Sequence, residues 1–487
     1  MSLRTGQVSF RVPKKSNAAS NIIARQDRIP VWSLSYLLIG IVGTGFLFTF
    51  FDIGDINVSF VQTCMQIVPG CHAQTASHYI GLPVLANLVG YMLGALILSP
   101  LADRFGRRDL LVITMVITGL GSLYTTFVGD YTGFIIARTI TGIGVGADLA
   151  LVSTYINEVS PNRGRAKYTA LIFAMGTVGS SLGIWLGLYL TTPATAFPLG
   201  LPIALASPNF QIGWRIMYGI GALLSICGLV LRFELPESPR WLVSRGRLVE
   251  ADRVVRKMEQ YALTRIPELP PISSELPVHT VGDSAGYSGV FGNPLYLKRT
   301  IVFIVIWLVG YITVYSLAAG TTVLLTALGY SLAEAGIIAA FGTVGGILCA
   351  LIAYTLGERL ERKYWLAISA LLTLLAGITI ALSGSSHIGL TIVGAIVMSL
   401  GADLWLPITL AWTTEIYPTR ARASGFALVD GVGHVGGGIG LTLIASVAVA
   451  RGPLGTFLLM GSFMVMAAFL AQFGPATRGK RLDEVSP

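Results

Sequence analysis

The sequence predicts an all-α membrane protein: twelve transmembrane helices, built as two copies of one unit. Three observations carry that expectation. Hydrophobic residues fill 53% of 487 positions and charged residues only 12%, about half the ~25% charge of an ordinary globular chain. Apolar runs of about 20 residues recur, each long enough to cross a hydrocarbon core of ~30 Å as a helix. A set of charged motifs occurs twice, and duplication at a fixed register marks a structural unit built twice.

In chain order the runs are 44–69, 79–99, 109–128, 132–157, 167–192 and 213–233 for spans 1 to 6. Spans 7 to 12 follow at 300–325, 331–356, 364–383, 387–414, 423–449 and 453–473. The 57 glycines suit helices that pack closely in lipid. The repeat pairs Leu101-Ala-Asp-Arg-Phe-Gly-Arg-Arg108 with Leu356-Gly-Glu-Arg-Leu-Glu-Arg-Lys363, and Gly146-Ala-Asp-Leu149 with Gly401-Ala-Asp-Leu404. Asp103 to Glu358 and Asp148 to Asp403 are both 255 residues apart, and a third pair, Glu158 and Glu415, is 257 apart.

Basic residues set the orientation. Arg104, Arg107, Arg108, Arg163, Arg165, the 234–299 segment, Arg359 to Lys363, Arg420, Arg422 and Arg478 to Arg481 all fall on one side. The opposite loop 191–212 has no Lys, Arg, Asp or Glu. By the positive-inside rule the basic side and both termini are cytoplasmic. The net charge of +9 is thus a topology signal and not a sign of nucleic-acid binding. The first 30 residues are polar and basic, unlike a cleavable signal peptide. The expected organisation is a cytoplasmic tail (1–30), a first half (31–233), a cytoplasmic linker (234–299), a second half (300–473) and a tail (474–487). Within the linker, Leu248 to Ala262 reads as a short amphipathic helix, and 266–290 is rich in Pro, Ser and Gly. Cys227 and Cys349 read as small apolar helix residues. Cys64 and Cys71 flank the first outer loop, and their state is open.

Six motifs stand in one order: Asp103-Arg104-x-Gly106-Arg107-Arg108, Arg138-x3-Gly142-x-Gly144-x-Gly146, Glu158-x-x-Pro-x-Arg-Gly, Gly213-Trp-Arg215, Pro236-Glu-Ser-Pro-Arg-Trp-Leu242 and Pro475-x-Thr-Arg-Gly-Lys480. Together they resemble the sugar-porter branch of the major facilitator superfamily. The resemblance implies the major facilitator fold: two pseudo-symmetric six-helix bundles around a central cavity, open alternately to each side. Span 5 (Ala170 to Gly179) and span 7 (Ile306 to Tyr315) lack the amides with which sugar porters meet sugar hydroxyls. Phe51-Asp-Ile-Gly-Asp-Ile-Asn-Val-Ser-Phe60 instead resembles span 1 of phosphate and aromatic-acid proton symporters. The expected substrate is therefore a small organic acid or anion.

An ionisable side chain in hydrocarbon is costly and is a functional candidate by default. Asp52 and Asp55 share one helix face, and two carboxylates that close cannot both ionise cheaply in a low-dielectric site. That suits a group that takes up a proton on one side and releases it on the other. Two depths are open, the midplane or the outer mouth, according to where span 1 begins. The resemblance makes Arg138 their counter-ion, facing Asp55; the competing reading is a static buried pair. Asp148 and Asp403 read as a shared structural device or as cavity groups. Trp405, Tyr311, Tyr315, Asp430 and His434 are the further cavity candidates, and Pro407 is placed to break span 10. At the cytoplasmic helix ends, Asp103, Arg104, Arg107, Glu158, Arg163, Arg165, Glu237 and Arg240, with Glu358, Arg359, Glu415, Arg420 and Arg422, are expected to form a gate of ion pairs.

The expected activity is secondary transport without a cofactor, energised by a proton gradient, in the plasma membrane. Its partners would be a small-molecule substrate, protons and the lipid bilayer, with the protein acting as a monomer. A sugar porter, a proton-driven exporter and a non-transporting sensor are the competing readings. No metal-ligand spacing, nucleophile elbow or phosphate loop points to an enzyme.

Overall fold

A computed structural model describes residues 14–161, 165–272, 286–418, 421–478 and 485. Helices dominate, and only isolated bridges between single residues interrupt them among the described residues. Spans 1 to 6 are Tyr36–Ile67, Ser77–Phe105 (in three consecutive pieces), Arg107–Phe127, Tyr131–Val159, Arg165–Thr191 and Gly213–Arg232. Span 7 is Pro294–Ala318 followed by Thr321–Ala327, span 8 is Leu332–Leu356 and span 9 is Arg362–Ser383. Span 10 is Ile388–Leu404 followed by Leu406–Glu415. Spans 11 and 12 run together as Arg422–Ala471, broken at Gly452, whose φ of 66° and ψ of −164° turn the chain before Pro453. Twelve membrane crossings result.

Each half packs in the same way. Span 1 lies on spans 5 and 6, span 2 on span 4, and span 3 on spans 4 and 6. In the second half span 8 lies on span 10 and span 9 on span 10, as the repeat requires. The halves meet where span 2 crosses span 11 and span 5 crosses span 8. The glycine motif of span 4 explains one such close approach. A Cβ at Gly142 would strike the Asn87 carbonyl and one at Gly146 the Tyr91 carbonyl, while one at Gly144 would strike Thr118 of span 3. Small residues here let three backbones converge.

Three expectations need adjustment. Span 1 begins at Tyr36, eight residues before 44, because Ser35 caps it by accepting from Leu37 N–H. Asp52 and Asp55 are then the 17th and 20th of its 32 residues, at mid-helix and not at a mouth. The polar N-terminal tail contains a helix, Lys14–Asp27, which packs Ala19, Ile22 and Ile23 against Trp241, Leu242 and Val255 of the linker. Arg25 joins Asp252 and Glu259 of the linker helix Leu248–Leu263. Cys64 and Cys71 are joined as a disulfide. Of the Pro-, Ser- and Gly-rich stretch 266–290, residues 273–285 lie outside the described residues.

Candidate functional site

Between the bundles lies a cavity lined mainly by apolar and aromatic side chains of both halves. Phe46 and Phe50 of span 1 and Phe173 of span 5 face Tyr311 and Tyr315 of span 7 and Phe426 of span 11. At the end away from the basic loops the halves are sewn together by Asn57. Its amide donates to the carbonyls of Leu317 (2.8 Å) and Ala318 (2.9 Å) and accepts from Thr322 N (3.0 Å) and Oγ1 (2.8 Å). The break in span 7 at residues 319–320 frees those carbonyls to be bonded. Thr326 Oγ1 adds a bond to the Ala73 carbonyl at 3.2 Å.

Midway along the cavity the two halves share a polar cluster. Tyr91 of span 2 donates to Asp430 at 2.7 Å, and Tyr311 donates to the same carboxylate at 3.2 Å. His434 sits 3.4 Å from Asp430 through Nδ1 and is stacked on the Tyr91 ring at 3.8 Å between centroids. Asp430, His434, Tyr311 and Tyr315 all line the cavity. Tyr91 escaped the sequence reading, because a tyrosine in an apolar helix gives no charge signal.

The charged triad sits elsewhere. Asp52, Asp55 and Arg138 are 1%, 0% and 2% exposed, on the face of span 1 turned from the cavity toward span 4. Arg138 Nη1 donates to Asp52 Oδ1 at 2.8 Å, so the ion pair is made with Asp52 and not, as the resemblance implied, with Asp55. The reason is register: Asp55 lies one turn further along. Neither oxygen of its carboxylate has a hydrogen-bonding side chain opposite it, though Arg138 is within electrostatic reach of both carboxylates.

The two repeated aspartates part company. Asp403 lines the cavity, where the one hydrogen bond to its carboxylate among the described residues is a long one from Ser399 at 3.5 Å. Asp148 is not on the cavity wall. Both its oxygens bind the guanidinium of Arg232 from span 6, the second at 3.0 Å, and Thr114 donates to it at 2.8 Å. Gly45 of span 1 makes room for this pair, since a Cβ there would fall on Arg232. Trp405 is also off the wall. It packs at 5.0 Å from Trp307 and 5.9 Å from Tyr311, behind the cavity lining, at the point where Pro407 divides span 10.

At the basic end the expected gate residues form pairs inside each half. Arg107 joins Glu158 at 3.1 Å, and Arg362 joins Glu415 at 3.1 Å and Glu358 at 3.0 Å. The 255-residue register that placed Asp103 on Glu358 also places Arg107 on Arg362, so Arg362 was findable. Glu237 accepts from the backbone N–H of Arg107 (3.1 Å), Arg108 (3.3 Å) and Ser238 (2.8 Å). It thereby caps the start of span 3, and burial pushes its carboxyl above the ordinary range. Gly106 beside it has a φ of 114°, which only glycine adopts freely. Arg240 pairs with Asp27 of the N-terminal helix, away from the other gate candidates. Arg422 donates to the Thr414 and Tyr417 carbonyls. Arg104 and Arg359 are exposed. Arg163 and Arg420 lie outside the described residues, as do the side chains of Asp103 and Arg165. The pairs of Arg107 and of Arg362 each lie within one half, and that of Arg240 joins the linker to the N-terminal helix.

A family model described as sugar (and other) transporter matches residues 37–487, nearly the whole chain. The chain belongs to that family. It is a secondary transporter of the major facilitator type, not an enzyme. Among its relatives, the niacin transporter NiaP of Acinetobacter baylyi is 25% identical over 96% of this chain and 99% of its own. The 4-hydroxybenzoate transporter PcaK of Pseudomonas aeruginosa is 30% identical over 74% of this chain and 77% of its own. Among solved structures, the xylose transporter XylE from E. coli, in a partially occluded inward-open conformation, superposes with a TM-score of 0.70. It is 20% identical and covers 91% of this chain and 98% of its own; at that identity the likeness concerns the fold.

Proposed function

We propose that this transporter moves a small organic acid bearing an aromatic ring, together with a proton, across the plasma membrane, working as a monomer with cytoplasmic termini. The observation that carries the proton is Asp55, a fully buried carboxylate beside an Asp52–Arg138 pair. One guanidinium offsets one negative charge, and a second bare carboxylate in the same low-dielectric site is uncompensated. A proton on Asp55 leaves Arg138 with Asp52; its loss makes Arg138 divide itself between two anions. Span 1 also carries Phe46, Phe50 and Asn57 on its cavity face, so protonation on one face bears on substrate and closure on the other. This is the coupling alternating access requires.

Relatives that transport niacin and 4-hydroxybenzoate support a ring acid, and an aromatic wall suits a flat ring. The one amide side chain among the described wall residues, Asn57, is committed to span 7 and so is not free for a sugar. The Asn57 bonds close the far end, which supports a state that is not open on that side.

The test is uptake into proteoliposomes of labelled nicotinate, 4-hydroxybenzoate and xylose, with and without an inside-alkaline pH gradient. Accumulation of a ring acid driven by the gradient, lost at least tenfold in Asp55→Asn, is expected. Equal downhill flux with and without the gradient would identify a facilitator, and ligand binding with no flux would identify a sensor.

A further inference from the structure

We propose that the substrate carries a positively charged nitrogen and that Asp403 is its counter-ion. The inference rests on the transport reading above and narrows the class of molecule moved.

Among the described residues the cavity wall contains no Lys and no Arg. Its ionisable groups are Asp403, Asp430 and His434, with the phenols of Tyr91, Tyr311 and Tyr315. Asp430 already receives two tyrosine hydroxyls and lies beside His434. The Asp403 carboxylate has the single long contact to Ser399, no ion pair among the described residues, and a half-buried side chain lining the cavity.

Its repeat mate shows what is missing. Asp148 is neutralised by Arg232, which rises from the end of span 6. The corresponding end of the second half is span 12, and residues 453–473 contain no basic residue at all. Thr114, which donates to Asp148, corresponds by the 255 register to Ser369, whose hydroxyl is buried and has no hydrogen-bond partner. Asp403 thus leaves its ancestral partner positions and turns to the cavity.

A carboxylate at this depth is expensive unless something compensates it. No described side chain of the wall does, so a proton fills that role in the empty cavity and the ligand's cation replaces it in the loaded one. Tyr311, Tyr315 and Phe426 line the same wall, and aromatic faces attract a cation as well as stacking a flat ring. A bare organic anion gains no fixed cation here and binds through its ring with Asp403 protonated, whereas an organic acid that also carries a positive nitrogen gains Asp403 as its counter-ion.

The experiment uses the full chain in nanodiscs and three probes of one shape: benzylammonium, benzyl alcohol and benzoate, measured by calorimetry. The expected result is at least tenfold tighter binding of benzylammonium than of either other probe. Asp403→Asn should abolish that preference and Asp403→Glu should retain it, the second variant separating lost charge from lost folding. Tightest binding of benzoate overturns the proposal. So does a preference that survives in Asp403→Asn, or no measurable binding of the ammonium at millimolar concentration. Failure of the transport reading looks different: Asp403-dependent ammonium binding with no gradient-driven flux in liposomes leaves this inference standing. Gradient-driven benzoate uptake indifferent to Asp403→Asn does the reverse.

Discussion

Asp148 and Asp403 occupy one position in the two copies of a repeated unit, 255 residues apart, and meet opposite surroundings. The first is fully buried, bound on both oxygens by Arg232 and on one by Thr114. The second faces the cavity with a long bond from Ser399. A duplicated motif therefore fixes where a backbone goes and not what its side chain does. The partner decides, and the partner comes from span 6 in one half and from no protein residue in the other. The same asymmetry governs span 1 against span 7. Asp52, Asp55 and Arg138 have Trp307, Gly310 and Val393 as their repeat mates. The first half accordingly holds the buried charged triad, and the second contributes the carboxylates and the histidine of the cavity wall.

Arg232→Met should break this contrast hardest. It strands Asp148 without a counter-charge, and removing one partner of a buried pair costs about 3–5 kcal/mol. The drop in melting temperature measured in detergent should be largely reversed by adding Asp148→Leu, which removes the orphaned charge. Next comes the one carboxylate of the second half that the first half does bind. Tyr91→Phe deletes the 2.7 Å bond to Asp430 across the bundles, worth about 1.5–3 kcal/mol for a charged acceptor. Accessibility of single cysteines placed at the far end should rise, because one of the bonds holding the halves together is gone.

The smallest effect lies outside the membrane, at Glu259 of the linker. Burial pushes its carboxyl up, but hydrogen bonds from Arg25 and Arg28 outweigh that and hold it below its ordinary 4.5. A depressed carboxylate adds stability that is complete above the unfolded value and is lost as pH falls through the folded one. Docking of the Lys14–Asp27 helix should therefore be unaffected by pH above about 4.5 and weaken below it, by ~1 kcal/mol or less for a partly exposed pair. Hydrogen exchange of that helix from pH 6 to pH 3, corrected for intrinsic rates, checks it.

Much of this architecture was legible in the chain. Uncharged runs between basic clusters gave the twelve crossings, since the bilayer imposes length and composition together. Span 1 was cut short because Tyr36 to Gly43 precedes the stretch that the repeat aligned with span 7. The N-terminal helix was hidden because its apolar positions are sparse and it is stabilised by docking on the linker. In the site, charge was the readable signal. Asp52, Asp55, Arg138, Asp403, Asp430 and His434 were all noticed, while Tyr91, Asn57 and Arg232 were not. Arg232 closes an apolar run beside the basic linker, where a cation needs no partner, yet the fold turns it inward onto Asp148. Which aspartate faces the cavity depends on that turn, and no spacing in the sequence reports it.

The most direct test of the account sets Asp148→Asn beside Asp403→Asn and measures, for each, the melting temperature and the affinity for benzylammonium. The account predicts a crossed result: Asp148→Asn loses several kcal/mol of stability, whereas Asp403→Asn keeps its melting temperature and loses the ammonium at least tenfold. Matching losses of stability in the two variants, with ammonium binding unchanged in Asp403→Asn, would contradict it.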